Sequence, residues 1–165
     1  MGNLLVLTAM KKEKLTKDQA LQKLRHYCRY QERCHSEVKN KLFELGVDKN
    51  EQDEMIIELV EEDYLDEERF ALAFTTGRFK IKQWGRKKIQ YALKEKMVNE
   101  ESIQKAIRQI DETNYIEILK KLAMEKYSSL KNEPYLVRKK KTMDYLMQKG
   151  YEIELIRTFL ETMIN

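Results

Sequence analysis

Apolar residues recur along this chain in three blocks that superimpose at a spacing of about fifty residues. Gly46, Met97 and Gly150 serve as equivalent origins, 51 and 53 residues apart, and a leucine stands four residues before each: Leu42, Leu93 and Leu146. Offsets +6, +9, +10 and +13 read Gln52, Met55, Ile56 and Leu59, then Ile103, Ala106, Ile107 and Ile110, then Ile156, Phe159, Leu160 and Met163. Eleven of these twelve are apolar, at the spacing of one helical face. One such stripe arises by chance; three in register after three equivalent turns do not. The pattern predicts an all-α fold of three tandem three-helix repeats in a curved, elongated array. Function is then expected on an extended surface rather than in a pocket.

The expected divisions are a loose arm over residues 1–14 and repeats over 15–64, 65–112 and 113–165. Thr16-Lys17-Asp18-Gln19 is a capping-box pattern that opens a helix with Leu21, Leu24, Tyr27 and Cys28 on one face. A second helix, about Ser36 to Leu45, stops at Gly46, which fits a left-handed cap with Val47 folding back. Asp48-Lys49-Asn50-Glu51 is a second capping box, opening a helix to about Glu62. Asp66 caps the next helix, where Phe70, Phe74, Gly77 and Ile81 share a face. Gly85 marks a turn before a helix over Arg86–Lys96, and Asn99 caps another. The third repeat uses Ile116, Leu119, Ala123, Tyr127 and Leu130, breaks at Pro134, and continues over about Tyr135–Lys149 to Gly150 and a last helix.

One proline and five glycines leave few interruptions, and 42% hydrophobic against 36% charged residues suits helices with a buried stripe and a solvated back. No apolar run approaches the roughly 18 residues of a membrane span. The lysines that follow Leu4–Leu7 are in the reverse order for a signal peptide. A monomeric cytoplasmic protein is the expectation.

Charge is unevenly placed. From Glu44 to Arg69 twelve acids face two bases, a net of −10, whereas Phe70 to Lys94 holds no acid and a net of +7. The basic window contains Arg78, Lys80, Lys82, Arg86, Lys87, Lys88 and Lys94, interleaved with Phe79, Trp84 and Tyr91. That mixture is used for phosphate contacts and base stacking. Its cations flank the turn at Gln83–Gly85, so two helices can bring them together. Arg138, Lys139, Lys140 and Lys141 occupy the matching helix of the third repeat, which suggests one continuous strip. The competing reading is a solvated face whose lysines add solubility or answer neighbouring acids.

No catalytic constellation emerges. His26, Cys28, Cys34 and His35 are the only cluster with soft-metal ligand types, and their spacing does not suit a zinc site, so no metal and no cofactor is expected. Neither histidine has triad partners, there is no Gly-rich phosphate loop, and an enzyme is not expected.

Tyr64-Leu65-Asp66-Glu67-Glu68-Arg69-Phe70-Ala71 resembles the central signature of the RecX family, with Leu65, Asp66, Arg69, Phe70 and Ala71 as its defining positions. Arg78, Gly85-Arg86, Ile89 and Leu93 extend the likeness downstream; Glu37-Val38, Lys41-Leu42 and Leu45-Gly46 extend it upstream. It covers about Asp18 to Ile110 well and the third repeat more loosely. Two departures fall at helix ends: Cys34 stands for a capping serine and Met97 for a glycine. The resemblance implies three-helix repeats and no catalytic residues. It also implies a partner, the RecA recombinase filament on single-stranded DNA, restrained during recombination, repair and the SOS response. Double-stranded DNA is a second candidate ligand. Two other readings stay open: a plain helical DNA-binding module, and a helical adaptor for some other protein.

Overall fold

The computed structural model describes residues 15–164; the proposed arm over 1–14 lies outside them. Nine helices and no strand occur among the described residues. They are α1 (Lys17–Tyr30), α2 (His35–Glu44), α3 (Lys49–Glu61), α4 (Glu67–Lys82), α5 (Arg86–Glu95), α6 (Glu100–Arg108), α7 (Glu112–Ser129), α8 (Tyr135–Lys149) and α9 (Ile153–Ile164). The first, second and third triplets form units 1, 2 and 3.

The three origins are the same structural position. Gly46, Met97 and Gly150 all adopt positive φ, at 73°, 60° and 94°. In each case the next residue donates its amide to the leucine four before the origin. The bonds are Val47 to Leu42 (3.1 Å), Val98 to Leu93 (3.1 Å) and Tyr151 to Leu146 (3.2 Å). This left-handed cap satisfies carbonyls that a helix end leaves without partners. The three leucines are fully buried, and Met55, Ile56, Leu59, Ile103, Ala106, Ile107, Ile156 and Leu160 of the stripes that follow are buried.

Local signals at the helix starts are met with one exception. Thr16 and Gln19 form the reciprocal capping box, and Asp66 and Asn99 accept from the amides of Arg69 and Ser102. The Asp48 box is not formed: the Glu51 amide goes to the Asp48 carbonyl at 2.9 Å, and the side chain makes no cap bond. The stripe expected on α4 is inward only at its start: Phe70 is buried and Phe74 packs partly buried against the core, while its far end turns outward. Phe70, Ala71, Thr75 and Phe79 are the buried residues of α4, and Ile81 is 78% exposed.

Two cores result. Unit 1 has its own, built from Leu21, Leu24 and Cys28 of α1, Val38 and Leu42 of α2, Met55, Ile56 and Leu59 of α3, and Leu65. Units 2 and 3 share the other, which spans Phe70, Phe79, Ile89, Leu93 and Ile103 on one side and Tyr115, Leu119, Leu146, Tyr151 and Ile156 on the other. Phe79, Tyr115 and Tyr151 stack across the boundary, with centroids 5.7 and 5.0 Å apart.

The middle helices are joined end to end. The amides of Gly85 and Lys87, at the start of α5, donate to the carbonyls of Lys149 and Gly150, at the end of α8 (2.8 and 3.0 Å). At the other joint the Ser36 hydroxyl, at the start of α2, donates to the Lys96 carbonyl, at the end of α5 (2.6 Å). Orphan donors of one helix thus meet orphan acceptors of the next.

Candidate nucleic-acid interface

The turn between α4 and α5 gathers most of the candidate cations. Gln83 takes a left-handed conformation (φ 53°) that ends α4, and Trp84 donates its amide to the Arg78 carbonyl at 3.2 Å. Gly85 then meets the end of α8 so closely that a Cβ would lie 2.3 Å from the Gly150 carbonyl carbon and oxygen. Trp84 is half-buried against the shared core. The Arg78 guanidinium lies 5.1 Å and the Lys88 ammonium 4.7 Å from its ring centroid. Lys88 also donates to the Gln148 carbonyl (3.2 Å), Lys149 to the Lys82 carbonyl (3.1 Å), and the Tyr151 hydroxyl to the Gln83 carbonyl (3.2 Å). The turn is therefore pinned by the end of α8, with the exposed Lys80, Lys82 and Lys87 near it. Among the described residues none of those three forms an ion pair.

Arg86 has a different role. Its side chain is only 19% exposed and pairs with Glu112 and with Glu152, the latter at 3.5 Å. Its guanidinium sits 3.9 Å from the Tyr115 ring centroid. Burial works against its charge, yet Glu112 and Glu152 outweigh that and hold it protonated above the ordinary arginine range. The buried Tyr115 hydroxyl accepts from the Arg86 amide and donates to Glu152, at 3.0 and 2.7 Å. Arg86 is thus a buried joint residue, and the outward strip around it consists of lysines.

The second run lies at the equivalent place, since Lys139, Lys140 and Lys141 precede Gly150 by the same intervals as Arg86, Lys87 and Lys88 precede Met97. Ten residues of helix, about 15 Å, separate Lys140 from the joint. Arg138 is held on Tyr127, its guanidinium 3.8 Å from the ring centroid and 3.0 Å from the carbonyl oxygen. Lys140 pairs with Asp144 (2.7 Å) and Lys141 with Glu133; Lys139 forms no ion pair among the described residues. Between this run and the joint stands Tyr145, with the ammoniums of Lys126 and Lys149 at 5.4 and 5.9 Å from its ring centroid. These three were absent from the expected strip, although Lys141, Tyr145 and Lys149 recur every fourth residue on one helix face.

The acidic segment is partly neutralised within its own unit. Lys17 pairs with Glu54 (3.3 Å), and Arg25 with Glu58 (3.0 Å) and Glu62 (2.7 Å). The family-signature positions build the joint between units 1 and 2. Leu65, Phe70 and Ala71 are buried, Asp66 caps α4, and Arg69 bridges Glu32 (2.7 Å) and Asp63 (2.9 Å). His35 meets Glu67 at 3.0 Å in the same joint. Cys28 and Cys34 are buried in different cores, and among the described residues no three His, Cys, Asp or Glu side chains are grouped to hold a metal. No helix of the described residues is long and apolar enough to cross a membrane.

Comparison with known proteins identifies relatives over most of the chain. Residues 66–107 match the family model for the RecX second three-helix domain, and residues 112–160 that for the third. The regulatory protein RecX of Leuconostoc mesenteroides is 28% identical over 129 residues, covering 78% of this chain and 48% of that protein. The RecX of Clostridium tetani is 32% identical over 130 residues, covering 78% and 59%. The chain thus spans about half the length of these curated relatives. The crystal structure of RecX from Lactobacillus salivarius superimposes with a TM-score of 0.79 at 21% identity, over 88% of this chain and 94% of that one.

Proposed function

Because the chain belongs to the RecX family, whose curated members are named regulatory proteins, we propose that it binds RecA recombinase filaments on single-stranded DNA and inhibits them. The observation that carries this reading is the convergence of Lys82, Lys88 and Lys149 with Trp84 on the joint of units 2 and 3, flanked by the exposed Lys80 of α4 and Lys87 of α5. Ammoniums that form no ion pair among the described residues, beside a half-exposed indole, suit a strand that offers phosphates and unstacked bases. The joint places them on backbone fixed by two helix ends, so the surface is pre-organised. Protein contacts fall to the acidic side, where α3 exposes Glu51, Asp53 and Glu61 beside Ile57 and Val60. A basic filament surface complements it, and opposite patches on one body orient the encounter. Contacts to several protomers then add as avidity. The protein acts as a monomer without a cofactor.

The test adds the protein to a RecA recombinase on single-stranded DNA and follows ATP hydrolysis and strand exchange. Inhibition is expected well below one regulator per recombinase. Replacing Lys80, Lys82 and Lys87 with glutamate should abolish it and flatten the salt dependence of DNA binding by at least about 2 on a log–log plot, at about 0.7 per phosphate. An unchanged recombinase beside intact DNA binding would leave only a DNA-binding module.

A further inference from the structure

We propose that the groove between α1 and α2 is a second nucleic-acid contact, in which Tyr30 stacks on an unpaired base and Lys23 and Lys41 meet the adjoining phosphates. A single strand would then run from the joint of units 2 and 3 back over unit 1. This deepens the DNA-binding reading above and rests on it.

The groove encloses about 800 Å³, and Lys23, His26, Tyr27, Tyr30 and Lys41 are among its walls. Among the described residues no carboxylate lines it. The cleft on the boundary of units 1 and 2 is the opposite, with Asp63, Asp66, Glu67, Glu68 and Glu101 around it. One other groove shares the acid-free character: that of about 220 Å³ along α4, bounded by Phe74, Gly77, Arg78, Ile81 and Lys82.

Repeat register shows that these two grooves lie on the equivalent face of α1 and α4. Tyr30 precedes Gly46 by the interval at which Ile81 precedes Met97, and Tyr27 and Arg78 correspond in the same way. Tyr30 and Ile81 are 80% and 78% exposed. A single exposed aromatic residue is ordinary; one large apolar side chain at the same repeat position in two units, each beside cations, is a pattern. Arg78 connects this face to the strip, because its guanidinium lies over Phe74 (4.8 Å) in the α4 groove and over Trp84 (5.1 Å) at the turn. Within the unit 1 groove the two tyrosines divide the work. Tyr27 is half-buried with the Arg33 guanidinium 3.8 Å from its ring centroid, so it forms the floor. Tyr30 projects into solvent and offers an uncovered ring. Lys41 on the rim also pairs with Glu44 at 2.9 Å. Even so, a lining of cations and aromatic rings without a carboxylate among the described residues fits a polyanion with planar bases better than an amphipathic protein helix, whose polar flanks carry charges of both signs.

The test measures fluorescence anisotropy with oligothymidylates of about 8 nucleotides, short enough for the strip alone, and about 30 nucleotides, beyond one site. Tyr30→Ala should weaken the long ligand by about five-fold or more, the least that losing one base stack costs, and leave the short one nearly unchanged. Tyr30→Trp should restore it. Lys23→Glu should lower the salt slope for the long ligand by about 0.7 or more. Circular dichroism should show both variants folded like the parent, since both side chains are exposed. If both bind the long ligand like the parent while Trp84→Ala and Lys87→Glu weaken it, the strip stands and the unit 1 contact is overturned. If Trp84→Ala and Lys87→Glu also have no effect, the underlying DNA-binding reading fails and this contact with it. If Tyr30→Ala spares DNA affinity but lowers affinity for the recombinase filament, the groove is a protein-docking site and the proposal is wrong.

Discussion

Gly85→Ala is the most direct probe of how units 2 and 3 are joined. The added Cβ would lie 2.3 Å from the Gly150 carbonyl carbon and oxygen and 2.4 Å from the Tyr151 nitrogen. All three are backbone atoms, so no side chain can swing aside. Helix α5 must retreat from the end of α8, giving up the Gly85–Lys149 and Lys87–Gly150 hydrogen bonds at about 1 kcal/mol each. Overpacking adds about 1–3 kcal/mol. The expected loss is about 3–5 kcal/mol, a large share of the roughly 5–15 kcal/mol that holds a domain together. Two other glycines supply controls. A Cβ at Gly77, inside α4, meets nothing within 4 Å, and Gly77→Ala should stabilise by about 0.5–1 kcal/mol. Gly46 is equally open but has φ +73°, so Gly46→Ala should cost about 1–2 kcal/mol from left-handed strain alone. Urea denaturation followed by far-ultraviolet circular dichroism measures all three. If Gly85→Ala costs no more than Gly46→Ala, the helix ends are not in the contact described and the account of the joint fails.

Other expectations follow from single positions. Met97 holds φ 60° while 80% exposed, so Met97→Gly should stabilise by about 0.5–1 kcal/mol, relieved strain outweighing the added chain entropy, with thermal melting as the check. Leu42→Ala and Leu93→Ala each empty a fully buried site and should cost about 2–5 kcal/mol; chemical denaturation should show the first loosening unit 1 and the second units 2 and 3. Burial pushes the Cys28 thiol up to about 11, so the fold favours its neutral form. Its contribution is complete below the ordinary thiol range and is lost as pH rises through about 11, at up to about 1.4 kcal/mol per pH unit. Cys28→Ala should remove that component from an alkaline stability profile, and an unchanged profile would refute it.

The repeat was legible because its cause is local. A helix that must stop and turn leaves a left-handed residue and a leucine one turn before it, and both signals survive at Met97, where glycine is missing. The joints were not legible, because they are made by residues far apart in the chain. Tyr115 is fully buried beside the expected Ile116, since its partners Phe79 of α4 and Tyr151 of the turn after α8 impose no period on α7. Arg86 sits in a run of cations and shares their composition, yet acids 26 and 66 residues away turn it inward. The same limit applied to α4, where the face carrying Phe74, Gly77 and Ile81 is apolar enough to read as a core stripe although it lines an open groove. Apolar content reports what can be buried, and only the neighbours decide whether it is.

The two joints differ in material, and that gives the array unequal mechanical compliance. Between units 2 and 3 the contact is an aromatic stack inside a common core, which shears only if packed rings separate. Between units 1 and 2 the buried Cys34 reaches the second core, and the further contacts are polar, made by Arg69 with Glu32 and Asp63, His35 with Glu67, Lys96 with Glu37, and the Ser36 hydroxyl. Water and ions compete for contacts of that kind, and dissolved salt weakens them over about a Debye length. Bending therefore concentrates at the first joint, and the angle of unit 1 to the rest becomes a function of ionic strength while the last two units swing as one stiff lever.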